Sequence, residues 1–158
     1  MSERSERREW LWAQSEDFFA IFATRARLLP VMAKQILKLG DITLRWSKWT
    51  PWNDLKADAR KDGDAVPGGV SGVYEVGRIG STERMTVGKA SDLRRRIVRA
   101  LILGKTPHSA GKRIRANERT TTLVVRWAKT ERPAAAEEEL HRLYQRKHGR
   151  LPKYTKLT

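Results

Sequence analysis

The chain has 158 residues, with 33 Lys or Arg against 18 Asp or Glu, a formal net charge of +15 and no cysteine. That length suits one domain with an appendage, and the missing thiols exclude a disulfide framework and a thiolate metal centre, so a reducing, cytoplasmic location is expected. The basic excess points to a phosphate-backbone partner, although a solubilising surface or a ribosomal-type RNA binder would have the same composition.

Met1 to Arg8 mixes charges and leads into no long apolar core, so no signal peptide is expected. Leu11, Phe18, Phe22 and Leu29 then recur at helical spacing and predict an amphipathic helix that Pro30 bends or restarts. Val31, Met32, Ile36 and Leu37 continue on a second short helix, which Gly40 can stop in the left-handed conformation. The most apolar window, Phe18 to Leu39, is broken by Arg25, Arg27, Lys34 and Lys38, so no membrane span is expected. These helices pack on the rest of the chain or form a surface for a homodimer or a partner protein, with a helix lying on a membrane surface as the third and poorest choice.

Trp46, Trp49 and Trp52 follow at intervals of three, interleaved with Arg45 and Lys48. Such a segment either stacks unpaired bases while its cations hold phosphates, or fills a groove between the appendage and the core. Asp54 to Asp64 is polar and Gly63 to Gly69 is rich in turn formers, which places a boundary between a helical, Trp-rich extension, 1–66, and a domain over 67–158. The charge is uneven across the chain. Residues 61–158 carry 22 Lys or Arg against 10 Asp or Glu, whereas residues 1–60 carry 11 against 8.

Gly72-Val73-Tyr74-Glu75-Val76 and Arg84-Met85-Thr86-Val87 are β-prone runs joined through Gly77 and Gly80, which reads as a hairpin. Gly88 ends the second strand, and Ser91 or Asp92 can cap a helix with Leu93, Ile97, Ala100 and Leu101 on its apolar side and Arg94, Arg95, Arg96 and Arg99 on the others. Gly104 closes that helix, and Lys105 to Arg115 reads as a basic loop or short helical turn containing His108, Lys112 and Arg113. Thr121 to Trp127 is a further strand. Pro133 then opens a helix whose buried side carries Leu140, Leu143 and Tyr144 and whose start carries Glu137, Glu138 and Glu139. A glutamate run there ordinarily complements the positive end of the helix dipole.

Gly72-Val73-Tyr74, then Thr86-Val87-Gly88-Lys89, then Asp92-Leu93-Arg94-Arg95-Arg96, resembles the signature order of the GIY-YIG endonuclease superfamily over about residues 70–155. The resemblance implies an α+β fold, with a small central antiparallel or mixed sheet flanked by helices. It also implies a DNA endonuclease that hydrolyses phosphodiester bonds with one metal ion. It assigns Tyr74 to positioning or deprotonating water, Arg96 to the non-bridging phosphate oxygens, Lys89 to charge neutralisation and Glu137 to the metal. The neighbouring Arg94, Arg95, Arg99, Lys112 and Arg113 are left to hold DNA.

One glutamate suits one hard cation, Mg²⁺ or Mn²⁺, whereas a two-metal site needs several clustered carboxylates. Two positions depart from the family pattern. Its second tyrosine is Thr86 here, and the position four after Arg96, where many members place His or Tyr, is Ala100. His108 is the nearest histidine in sequence to supply the vacated acid/base function. The alternatives to an enzyme are a DNA-binding protein on the same fold with weakened catalysis, and a subunit recruited by a partner through the N-terminal helices.

Overall fold

A computed structural model describes residues 35–155, which belong to one compact unit, Met32–Thr158. The helices expected between Glu6 and Met32 lie outside the described residues. The fold is α+β, as expected, with small antiparallel sheets and flanking helices. No described helix is long and apolar enough to cross a membrane.

Ile36 and Leu37 do not continue a helix. They belong to strand β1 (Ile36–Leu39), which pairs antiparallel with β2 (Ile42–Arg45). Gly40, at φ +58°, turns a two-residue loop where a helix stop is predicted. Both readings use its left-handed conformation, but Ile42 and Leu44 buried against exposed Thr43 and Arg45 is a period of two, which a helix cannot satisfy. The chain then joins the main sheet. Trp46 bridges Ala128, and β3 (Thr50–Pro51) pairs with β6 (Leu123–Lys129) at the sheet's edge, where a proline lacking an N–H is tolerated. Helix α1 (Trp52–Arg60) follows inside the segment that reads only as polar, and it buries Trp52 and Leu55.

The expected boundary at residue 66 is therefore not a division between bodies. Val66 is buried, and the carbonyls of Pro67 and Val70 accept hydrogen bonds from the N–H groups of Arg94 and Leu93. The turn-rich segment is strapped across the arginine helix, and residues 46–60 complete the same core. Short-range composition marks loops but cannot tell a linker from a docked loop.

The main sheet has the order β3-β6-β4-β5, with β4 (Gly72–Arg78) central and β5 (Arg84–Ala90) outermost. Every pairing is antiparallel. One face carries Tyr74, Val76, Leu123 and Val125 against α1, α2 (Arg95–Ile102) and α3 (Ser109–Asn117). The other carries Val73, Val87 and Ala128 against the β1–β2 hairpin and α4 (Pro133–His148).

Gly72 and Gly88 are explained by close approach. A Cβ on Gly72 would lie 2.2 Å from the Ala128 carbonyl oxygen, and one on Gly88 would lie 2.5 Å from Tyr74 Oη, so the tyrosine ring crosses a surface that only glycine leaves open. Helix α2 buries Ile97, Val98, Ala100, Leu101 and Ile102 and has i→i+5 bonding, with the Leu103 N–H donating to the Val98 carbonyl. Gly104, at φ +67°, ends it as expected.

On the other face of β4, Glu75 lies inside the sheet layer. Its Oε2 accepts from Arg84 Nε at 3.1 Å and Arg126 Nε at 2.8 Å, with side-chain exposures of 7% for Glu75 and 9% for Arg126. Arg126 also reaches Gln35 and stacks 4.3 Å and 4.4 Å from the ring centroids of Trp46 and Trp49, and Arg84 lies 4.8 Å from that of Trp49. Trp46 and Trp52 are buried in the core, and Trp46 and Trp49 cover the protein's own cations, whereas a groove against the expected helical appendage lies outside the described residues.

Candidate functional site

Five candidate residues converge where α2, α3 and α4 meet the β4–β5 hairpin. Tyr74 comes from the central strand, buried, with Oη 2.7 Å from His108 Nε2. His108 stands at the N-terminus of α3, where its Nδ1 accepts from the Gly111 N–H at 2.9 Å. Burial pushes the Tyr74 phenol well above its ordinary value; Arg96 opposes the rise and Glu137 adds to it, so both lie close enough to feel its charge. Burial brings His108 down to about 4, with Arg96 and then Arg115 acting in the same direction.

Arg96 follows directly from the cap of α2. Asp92 Oδ1 accepts from the Arg95 N–H at 2.9 Å and Oδ2 from the Gly69 N–H at 3.1 Å, so Asp92 rather than Ser91 starts the helix. The exposed Arg96 lines a groove of about 220 Å³ with Ser91, Asp92, Arg95, Ala100, Thr106 and Pro107. Ala100 is buried at its wall and supplies no acid or base.

Glu137 lies in the second turn of α4, 18% exposed, and both its carboxylate oxygens meet one residue. Oε1 accepts from the Lys89 backbone N–H at 3.1 Å, and Oε2 pairs with Lys89 Nζ at 2.9 Å. Glu138 and Glu139 instead pair with Arg142 on the solvent side. Among the described residues no three His, Cys, Asp or Glu side chains form a metal-ligating group. His141, one turn after Glu137, donates from Nε2 to the Val87 carbonyl at 3.2 Å. The donor set therefore fits only a hard cation that takes one carboxylate and keeps most of its waters.

The cations expected to hold DNA divide into two groups. Arg95, Arg99 and Lys112 are exposed. Arg94 is not available, because its guanidinium donates to the carbonyls of Asp62 and Gly63 and ties the loop before β4 to α2. Arg113 lies 5.0 Å from the Tyr154 ring centroid and donates to the Lys153 carbonyl at 3.4 Å, so it steadies the C-terminal segment. Arg115, absent from the sequence-derived candidates, donates to the carbonyls of Ala100 and Leu101 and joins α3 to α2.

Thr86 is also turned to a structural purpose. It is 3% exposed, with Oγ1 3.4 Å from Thr155 Oγ1, and the Tyr154 N–H donates to the Met85 carbonyl at 2.8 Å. The C-terminal residues thus run along β5 and cover Thr86. Nothing local in the sequence signals this contact, which joins residues 69 apart. Comparison of the chain with family models, with curated proteins and with solved structures gave no match.

Proposed function

We propose that the chain is a metal-dependent DNA endonuclease of the GIY-YIG type. The observation that carries the reading is the convergence of Tyr74, His108, Arg96, Lys89 and Glu137, drawn from five separate elements, at one end of the sheet. Phosphodiester hydrolysis needs a water oriented for attack, donors for the charge that develops on the phosphoryl oxygens, and neutralisation of the leaving oxygen. Arg96 presents a planar guanidinium at an open groove, the geometry suited to two non-bridging oxygens. Tyr74, whose phenol feels the charges of both Arg96 and Glu137, would orient the water, and Lys89 keeps the Glu137 carboxylate fixed. Glu137 would hold Mg²⁺ or Mn²⁺, which supplies Lewis-acid charge at the phosphoryl oxygens when bound.

A second reading is favoured by the Lys89–Glu137 pair itself, which leaves the one candidate ligand already neutralised. On that reading the chain binds DNA without cutting it. Incubation of the protein with supercoiled plasmid and Mg²⁺ or Mn²⁺ separates the two: nicked or linear product supports the nuclease, and retention of intact plasmid with both metals supports the binder.

The two groups of arginines give a prediction common to both readings. Arg99→Ala and Lys112→Ala should each lower the slope of log affinity against log salt by about 1, the signature of one lost phosphate contact. Arg94→Ala should leave that slope unchanged and instead lower the unfolding midpoint, since its partners are backbone carbonyls. Equal slopes for all three variants would remove the division.

A further inference from the structure

Two hydrogen bonds converge on the His108 imidazole, and together they fix where its proton lies. Nδ1 is 2.9 Å from the backbone nitrogen of Gly111, and Nε2 is 2.7 Å from Tyr74 Oη. An amide N–H only donates, so Nδ1 is the bare nitrogen. The hydrogen of the neutral ring therefore sits on Nε2 and is donated to Tyr74 Oη, and the phenol's own hydrogen points away from His108. We propose that His108 is a permanently neutral donor to Tyr74, a positioning residue that holds the phenol oxygen in place and stabilises it as it gains negative charge. It is not the base that takes the proton from water.

The surroundings hold it in that form. Protonating Nδ1 would set two N–H groups against each other and remove the cap of α3. Arg96 from α2 and Arg115 from α3 both oppose a positive ring, in the same direction as burial. From α4, Glu137 acts on the phenol, where it opposes a negative oxygen. The Nε2–H donor and Arg96 favour that oxygen, so His108 supplies from the start of α3 what Ala100 cannot supply from α2. Tyr74 can then accept a proton from water only after its own has passed to solvent, which confines the base to the alkaline side.

The consequence for catalysis rests on the nuclease reading, whereas the tautomer is measurable on the protein alone. Long-range ¹H–¹⁵N correlation of the ¹⁵N-histidine-labelled full chain, with the signal assigned by its loss in His108→Asn, should show the Nε2–H form unchanged from pH 8 to pH 5. An Nδ1–H form, or an imidazolium with a midpoint near 6.5, would overturn the proposal.

Asparagine keeps a side-chain oxygen for the cap and loses the donor to Tyr74. Plasmid cleavage by His108→Asn should therefore fall about tenfold at every pH, the factor of one hydrogen bond, with the rate still rising with pH. Disappearance of the rise would identify His108 as the base and overturn the assignment. Should wild type cut nothing, the nuclease reading fails and the catalytic role fails with it, while the ¹⁵N spectrum still decides the tautomer.

Discussion

Glu137→Ala should lower metal-dependent plasmid cleavage by at least about a hundredfold while DNA affinity, measured without metal, stays the same or rises slightly. The size is that of removing one preorganised group from a site of developing charge. The sign on affinity follows from electrostatics, because a carboxylate facing phosphate repels it until a cation lies between them, and its loss leaves Lys89 as an additional cation for the backbone. Glu138→Ala and Glu139→Ala are the controls, since both carboxylates pair with Arg142 in the solvent. Loss of cleavage in either of these, with Glu137→Ala still active, would move the metal to the wrong side of the helix for this site. Arg96→Ala should fall by a similar factor. Arg99→Ala, on the same helix but outside the groove, should lose affinity at most severalfold.

How much of this was legible depends on the range of the interaction concerned. The β4–β5 hairpin, α2 and α4 follow from turn glycines and periodicities within a few residues, and Leu93, Ile97, Ala100 and Leu101 are all buried as their spacing requires. The β1 strand was not legible, since Met32, Ile36 and Leu37 satisfy a helical period as readily as Leu37 and Leu39 satisfy a strand. Pairing with Ile42 and Leu44 decides the matter.

At the site, residue types alone cannot divide the arginine triplet. Arg94 and Arg96 sit on one turn of helix, yet one faces the carbonyls of Asp62 and Gly63 and the other an open groove. His108 stands out in sequence as the nearest histidine if Thr86 and Ala100 are departures from the family pattern, but its use as a helix cap, which decides its tautomer, appears only with Gly111 in place. Thr86 reads as a lost tyrosine in sequence, and the contact with Thr155 shows the same position working as part of the seam between β5 and the C-terminal residues.

Glu75→Ala is expected to destabilise the fold by about 3–5 kcal/mol, the usual cost of removing one partner from a buried ion pair. Burial alone would raise the Glu75 carboxyl, but Arg126 and then Arg84 outweigh it and hold it below its ordinary value of about 4.5. A carboxylate depressed in the folded state contributes stability that is present above the unfolded value and lost as pH falls below it. Wild type should therefore weaken progressively below about pH 4.5, and Glu75→Ala should lack that component of the acid dependence.

The alanine variant leaves the Arg126 guanidinium with its contact to Gln35 and the faces of Trp46 and Trp49, inside a layer from which water is largely excluded. Replacing Glu75 and Arg126 together by Leu and Met should recover most of the loss, because a buried pair exchanged for apolar groups of similar volume is often neutral. Urea unfolding of wild type, the single variant and the double variant measures each step. A loss below about 1 kcal/mol in Glu75→Ala would put the network on the scale of an exposed pair and would mean that water reaches Arg126 despite its 9% exposure.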